Sequence, residues 1–153
     1  MDTNMFVELT VVNGNYPWDL LMLADPSKSA IEKYLYDSDC YIARCNEVVI
    51  GVAVIKSQDS EVYELMNIAV FPAYQNRGYG SQILNSLIEI LKNKQANVLE
   101  VGTGSFGYQL KFYQKFGFRV DQIKTNFFLD NYSEPIFEDG LQHKDMLILR
   151  LTL

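Results

Sequence analysis

Histidine and cysteine are too scarce in this chain to build a metal centre. One histidine, His143, and two cysteines, Cys40 and Cys45, stand among 153 residues. Neither forms a ligand cluster with the spacing that zinc sites require, so no metal site is expected. The cysteines fall five positions apart on one expected strand. Side chains alternate faces along a strand, so the two point to opposite sides and cannot bridge. Reduced thiols suit a cytoplasmic protein. No apolar run approaches the roughly 20 residues that span a bilayer, so no membrane partner is expected. The opening Met1-Asp2-Thr3-Asn4 lacks the basic segment and apolar core of a signal peptide. Basic residues are also few. Thirteen Lys and Arg against nineteen Asp and Glu give a formal charge of −6. Nucleic-acid binding driven by counterion release needs a basic face, so that partner class is excluded. The acidic balance suits a cationic small molecule or peptide.

What the chain does have is ordinary globular composition, 48% hydrophobic and 21% charged. Its length favours one domain, residues 1–153, with room for a real core. Met5 to Val12 reads as a strand. Tyr16 to Ala24 reads as a short helix with Pro17 at its start, and a second helix runs from Pro26 or Ser27 through Tyr36. Strands follow over Asp39–Asn46 and Val48–Lys56; Gly51 to Ile55 is continuously apolar, as in a strand buried on both faces. Val62–Phe71 is a further strand, stopped by Pro72. A helix spans Ser81 to Asn93, with Ile83, Leu84, Leu87, Ile88 and Leu91 on one face. Val98–Gly102 is a strand, Gly102 to Ser105 a flexible link, Phe106–Lys115 a helix and Phe116–Val120 a strand. Residues 126–144 form the longest irregular stretch, holding Pro135, Gly140 and His143. Met146–Leu153 is a closing apolar strand, suited to pairing across a homodimer. This order implies a mixed α/β sheet with helices on both faces and a right-handed parallel crossover.

The chain is organised around Gln75-Asn76-Arg77-Gly78-Tyr79-Gly80. A strand enters this turn and an amphipathic helix leaves it. Glycines let backbone N–H groups approach an anion, and the first N–H groups of a helix have no partner inside it. The macrodipole adds about half a positive charge there. Alone, the pattern is a generic anion cradle. No Gly-Lys-Ser/Thr follows, so it is no Walker loop, and two glycines after antiparallel-looking strands make a poor nicotinamide fingerprint.

Three pieces in order sharpen it. The strand Leu65-Met66-Asn67-Ile68-Ala69-Val70 precedes Phe71-Pro72. The turn Gln75-x-x-Gly78-x-Gly80 follows. Then comes Phe112-Tyr113-Gln114-Lys115-Phe116-Gly117-Phe118. Over Tyr63–Val120 the chain resembles the Gcn5-related N-acetyltransferase (GNAT) family. Its long tail is similar to a small bacterial subset labelled indole-acetic-acid acetyltransferase-like. The resemblance implies a mixed, mostly antiparallel six- to seven-stranded sheet with a splayed parallel pair at the cofactor site. It implies acetyl-CoA as cofactor. Backbone N–H groups of Arg77, Gly78, Tyr79, Gly80 and Ser81, with Gln75 and Asn76 in the same turn, would hold the pyrophosphate. Ile68, Ala69 and Val70 would pair with the pantetheine arm like an added strand. The chain departs from the family pattern at Phe106 and Gln109, where asparagine and alanine are frequent; Ser105 or Tyr108 stands near enough to substitute.

On this resemblance Tyr113 is the catalytic acid. A phenol of pKa about 10 faces a thiol near 8.5. Glu64 is the candidate base, acting through water. An amine of pKa about 10.4 is neutral in only about one molecule in 2,500 at pH 7, so a proton must leave before attack. The expected function is direct transfer of acetyl from acetyl-CoA to a primary amine of a small molecule or peptide. The alternative is a non-catalytic CoA-binding sensor or partner protein on the same fold; the presence of both Glu64 and Tyr113 favours the enzyme. The acceptor pocket is expected between residues 16–36 and 126–144. His143 alone is expected to be a surface or satisfied loop residue.

Overall fold

The computed structural model describes residues 6–153. Residues 1–4 and the expected strand start at Met5 lie outside them. The chain runs β1 (Glu8–Val12), α1 (Trp18–Ala24), α2 (Lys28–Leu35), β2 (Asp39–Cys45), β3 (Val48–Ser57) and β4 (Val62–Val70). A 3-10 turn, Pro72–Tyr74, then leads to α3 (Tyr79–Asn93), β5 (Val98–Gly104), α4 (Tyr108–Phe116) and β6 (Arg119–Lys124). The chain closes with α5 (Phe127–Asn131), a small hairpin of β7 (Phe137–Glu138) and β8 (Leu141–Gln142), and β9 (Met146–Thr152). Seven strands form one sheet in the order β1-β2-β3-β4-β5-β9-β6. Only β4 and β5 pair in parallel; the other neighbours are antiparallel.

Each face of the sheet carries its own core. On one, the expected stripe of α3 (Ile83, Leu84, Leu87, Leu91) packs with Tyr113 and Phe118. On the other, Leu20 and Leu21 of α1 and Ile31, Tyr34 and Leu35 of α2 cover Val52, Val54 and Ala69. Fully burying one such side chain contributes about 1.5–3 kcal/mol, so the two layers hold the sheet between them. Cys40 belongs to the second core and Cys45 to the first, as their odd spacing requires. Ile50 and Val52 to Ile55 are all buried, the two-sided burial that the apolar run announces.

Three expectations are corrected. Gly102 to Ser105 is no flexible link, because β5 continues to Gly104, pairing with β9 as far as Gly104↔Met146. The glycines are there for contact: a Cβ on Gly102 would strike the Met146 side chain, and one on Gly104 the His143 ring. Residues 126–144 are not irregular throughout. They hold α5 and the β7–β8 hairpin, anchored by Asn126 N–H to Asp145 Oδ1 (2.8 Å) and Phe128 N–H to the Lys144 carbonyl (3.0 Å). The closing strand β9 lies between β5 and β6, so its edges are filled within the chain and it offers none to a dimer.

The feature that positions the site is a parting in the sheet. β4 and β5 are in register only over Val62–Leu65 against Val98–Val101. Beyond Leu65, β4 stays with β3 and β5 stays with β9. The register of β4 against β3 slips at Met66, where Asn67 pairs Val54 but Leu65 pairs Ile55. Such a bulge bends its strand and increases the twist. It falls where the two strands separate.

Candidate active site

Peptide groups alternate sides along a strand. Phe71 N–H donates to the Ile50 carbonyl of β3 at 2.9 Å. Ala69, two residues earlier, therefore also turns its peptide groups to β3, and Ile68 and Val70 turn theirs to the gap. The Val70 carbonyl accepts from Gln75 Nε2 at 2.9 Å. At the end of this gap Gly78 caps α3 with φ +83°, a left-handed backbone that glycine adopts without strain. A Cβ on Gly78 would meet nothing within 4 Å, so the turn opens onto free space. No side chain caps the helix, and its ladder begins with Gln82 N–H to the Gly78 carbonyl at 3.1 Å. Gly80 and Ser81 precede that first bond, so their N–H groups point out of the helix end.

A cavity of about 310 Å³ runs from the gap to this turn. Ile68, Ala69 and Val70 line one end of it. Gln75, Asn76, Gly78, Tyr79, Gly80 and Ser81 line the other. Of the cofactor residues expected from the sequence, Arg77 alone is absent from the walls; its guanidinium lies 5.9 Å from the centre of the Tyr74 ring. A long, open groove with donors at its end and unpaired strand at its side fits acetyl-CoA. Tyr108, from the region of the departures, also lines it, and Phe106 does not.

A second cavity of about 130 Å³ lies in the parting itself, between Leu65 to Ile68 of β4 and Val101 to Gly104 of β5. Ala24, Ile68, Gln109 and Tyr113 line both cavities and form the junction. Tyr113 is 3% exposed, its ring edge-on to Phe112 and Phe118 at 5.3 and 5.4 Å between centres. Burial pushes its phenol well above the usual value, so it stays protonated at neutral pH.

Glu64 sits at the closed end of β4, in register with Lys56 and Glu100. Its Oε1 accepts from Gln58 Nε2 at 2.9 Å, and it lines neither cavity. His143 also stands apart. It is 8% exposed, its Nε2 is 2.9 Å from Glu138 Oε1, and its ring stacks on Phe106 at 4.0 Å. The same Glu138 accepts from Tyr108 N–H at the start of α4 (3.2 Å). His143 thus ties the hairpin to β5 and α4, a buried structural role.

Sequence reasoning passes over two residues in the second cavity, Asp25 and Tyr132. Asp25 ends α1, and before proline it reads as a turn residue. Its Oδ1 accepts from Ser27 N–H at 3.2 Å. The Tyr132 hydroxyl, from the C-terminal end of α5, lies 3.2 Å from each carboxylate oxygen. Burial raises the Asp25 pKa, and these two hydrogen bonds partly offset it. Beneath them Asn67, 4% exposed, donates from Nδ2 to the Leu21 carbonyl (3.0 Å) and to Tyr34 Oη (3.1 Å). Residues 24 and 25 from one of the two regions singled out in the sequence, and 128 and 132 from the other, line this cavity.

Residues 8–118 match the family model described as Acetyltransferase (GNAT) family. The uncharacterized N-acetyltransferase YvbK of Bacillus subtilis is 40% identical over 148 residues, 96% of each chain. A crystal structure of a GNAT family acetyltransferase from Elizabethkingia anophelis with acetyl-CoA bound is 42% identical. It superposes with a TM-score of 0.92 over 98% of this chain and 100% of its own. An IAA acetyltransferase from Bacillus cereus is 37% identical, with a TM-score of 0.89 over 96% and 99%.

Proposed function

Because the chain belongs to the acetyltransferase (GNAT) family, we infer that it is an N-acetyltransferase moving acetyl from acetyl-CoA directly to a primary amine of a small molecule or peptide. Its dependence on acetyl-CoA follows from the family and from the acetyl-CoA-bound relative. The observation that carries the finer reading is the junction of the two cavities at Tyr113. One cavity ends in helix-terminal donors suited to a diphosphate. The other is small and shares the same tyrosine.

Acetyl-CoA, when bound, supplies an activated acyl carbon and a thiol leaving group. The chain's own residues do the rest by placement. Gly78, Gly80 and Ser81, with Gln75, Asn76 and Tyr79 around them, hold the diphosphate. Arg77 adds charge from outside the cavity wall. The peptide groups of Ile68 and Val70 hold the amide-bearing arm along β4, with Ala69 between them packed into the wall. Tyr113 Oη, kept protonated by burial, would serve as the proton donor to the leaving thiolate at the junction of the two cavities. Glu64 lines neither cavity, so as a base it would have to act through water.

The reading is tested with a panel of primary amines and acetyl-CoA, following free thiol together with acetylated product by mass. At least one amine should release thiol and acquire acetyl in equal amounts. Thiol released at the amine-free rate, with no acetylated amine, would contradict it.

A further inference from the structure

Asp25 is the one charged side chain among the residues lining the second cavity, and no Lys, Arg or His joins it there. We propose that this cavity receives a primary ammonium group of the acceptor, with Asp25 as the carboxylate that anchors it and takes its proton. This rests on the acetyltransferase reading of the same site.

A half-buried carboxylate without a cation is costly, and the cost is recovered when a cation pairs with it. Asp25 is held for that task. Tyr132 Oη, from the end of α5, stands 3.2 Å from both oxygens, and Ser27 N–H, from the turn after α1, 3.2 Å from Oδ1. The remaining walls carry no charge: Asn67, Thr103 and Gln109 are neutral polar groups, and Met66, Phe128, Met146 and the Tyr132 ring are apolar or aromatic. Phe128 and Tyr132 lie 5.9 Å apart at 36°. Aromatic faces attract a cation and give nothing to a carboxylate. The volume, about 130 Å³, is below the roughly 300 Å³ at which pockets for whole drug-sized ligands begin. It suits the reactive end of an acceptor. A carboxylic acid such as indole-3-acetate would meet Asp25 with no counter-charge, so the acceptor class here is a cationic amine.

The proton balance closes. The ammonium nitrogen loses two protons on becoming an amide; Asp25 takes them in turn, one before attack and one after the carbon–nitrogen bond forms, and passes each to water. Tyr113 gives one to the leaving sulfur and regains one from water, so one proton is released net. Nothing is oxidised or reduced. The groups facing Asp25 are Tyr132, Tyr34 and the Ser27 N–H, none charged at neutral pH. Asp25 acts when ionised, so the rate falls as pH drops through its pKa, which burial holds above the ordinary 3.8. The Tyr132 hydrogen bond lowers that pKa, so Tyr132→Phe should move the acid limb to higher pH.

The test is calorimetry on the CoA-loaded protein with two matched pairs, butylamine against butyrate and tryptamine against indole-3-acetate. The amines should bind and the acids should not. Asp25→Asn, which keeps an oxygen for Ser27 and Tyr132, should weaken amine binding at least about tenfold. Its melting temperature and CoA affinity should hold, and its acid limb should vanish. Equal binding of acid and amine, no amine binding by the wild type, an unchanged Asp25→Asn, or loss of the limb in Glu64→Gln instead would each overturn the proposal. Asp25-dependent amine binding without any acetylation would refute the transferase reading alone. Acetylation indifferent to Asp25→Asn would refute this proposal alone.

Discussion

Tyr113→Phe should lower kcat by about 100-fold or more while leaving the Kd for CoA unchanged. The packing makes this a clean substitution. The ring is wedged between Phe112 and Phe118, and phenylalanine keeps both contacts. No hydrogen bond to the hydroxyl is found among the described residues, so its loss strands no partner and stability should not fall. What disappears is the one proton donor at the junction of the two cavities. In water a phenol near pKa 10 is a weaker acid than a thiol near 8.5, and proton transfer to sulfur is uphill by about 2 kcal/mol. Burial raises the phenol further. The same dry surroundings disfavour a naked thiolate by the same physics, so the gap does not widen in proportion. Stopped-flow thiol release with a saturating amine measures the effect, and calorimetry measures CoA. A mutant that turns over as fast as the wild type removes Tyr113 from the chemistry.

Gly78→Val should reduce CoA affinity by at least about 100-fold, with only a modest fall in melting temperature. The folded protein has room for the side chain, since a Cβ there meets nothing within 4 Å. Its cost to folding is the left-handed backbone at φ +83°, about 1–2 kcal/mol for an ordinary residue and more for a β-branched one. The space it fills is the approach to the end of α3, where an anion must come close to backbone N–H groups. Gly78→Asn separates the two effects, because asparagine tolerates the left-handed region. It should recover most of the stability and little of the affinity. Unchanged CoA affinity in both variants would displace the diphosphate from this turn.

The parts of the site that the sequence discloses are those written locally. The strand into Pro72, the glycine turn, the amphipathic α3 and the Tyr113 helix each fit within a short window. The structure gathers nine of the ten expected cofactor residues around one cavity. What was not legible depends on distant partners. The parting of β4 from β5 arises because β5 stays with β9, near the other end of the chain. Gly102 and Gly104 look like part of a flexible link until Met146 and His143 are seen lying on them. Asp25 reads as a turn residue because its partner, Tyr132, is 107 positions away. Glu64 is a neighbour of the motif by sequence count, and its distance from the cavities shows only in the fold. Counting along β4 brings it near the site, yet it falls where β4 and β5 are still paired and Gln58 already engages it.

A cofactor that enters the sheet at the parting of β4 and β5 leaves a residue-by-residue mark that backbone hydrogen exchange, followed by NMR, can read. On adding CoA, exchange should slow at the amides of Ile68 and Val70, which face the gap, and at Gly80 and Ser81 at the head of α3. Ala69 should be slow with or without CoA, because its amide is turned to β3. Slowing elsewhere, with Ile68, Val70, Gly80 and Ser81 unchanged, would place the cofactor away from this parting.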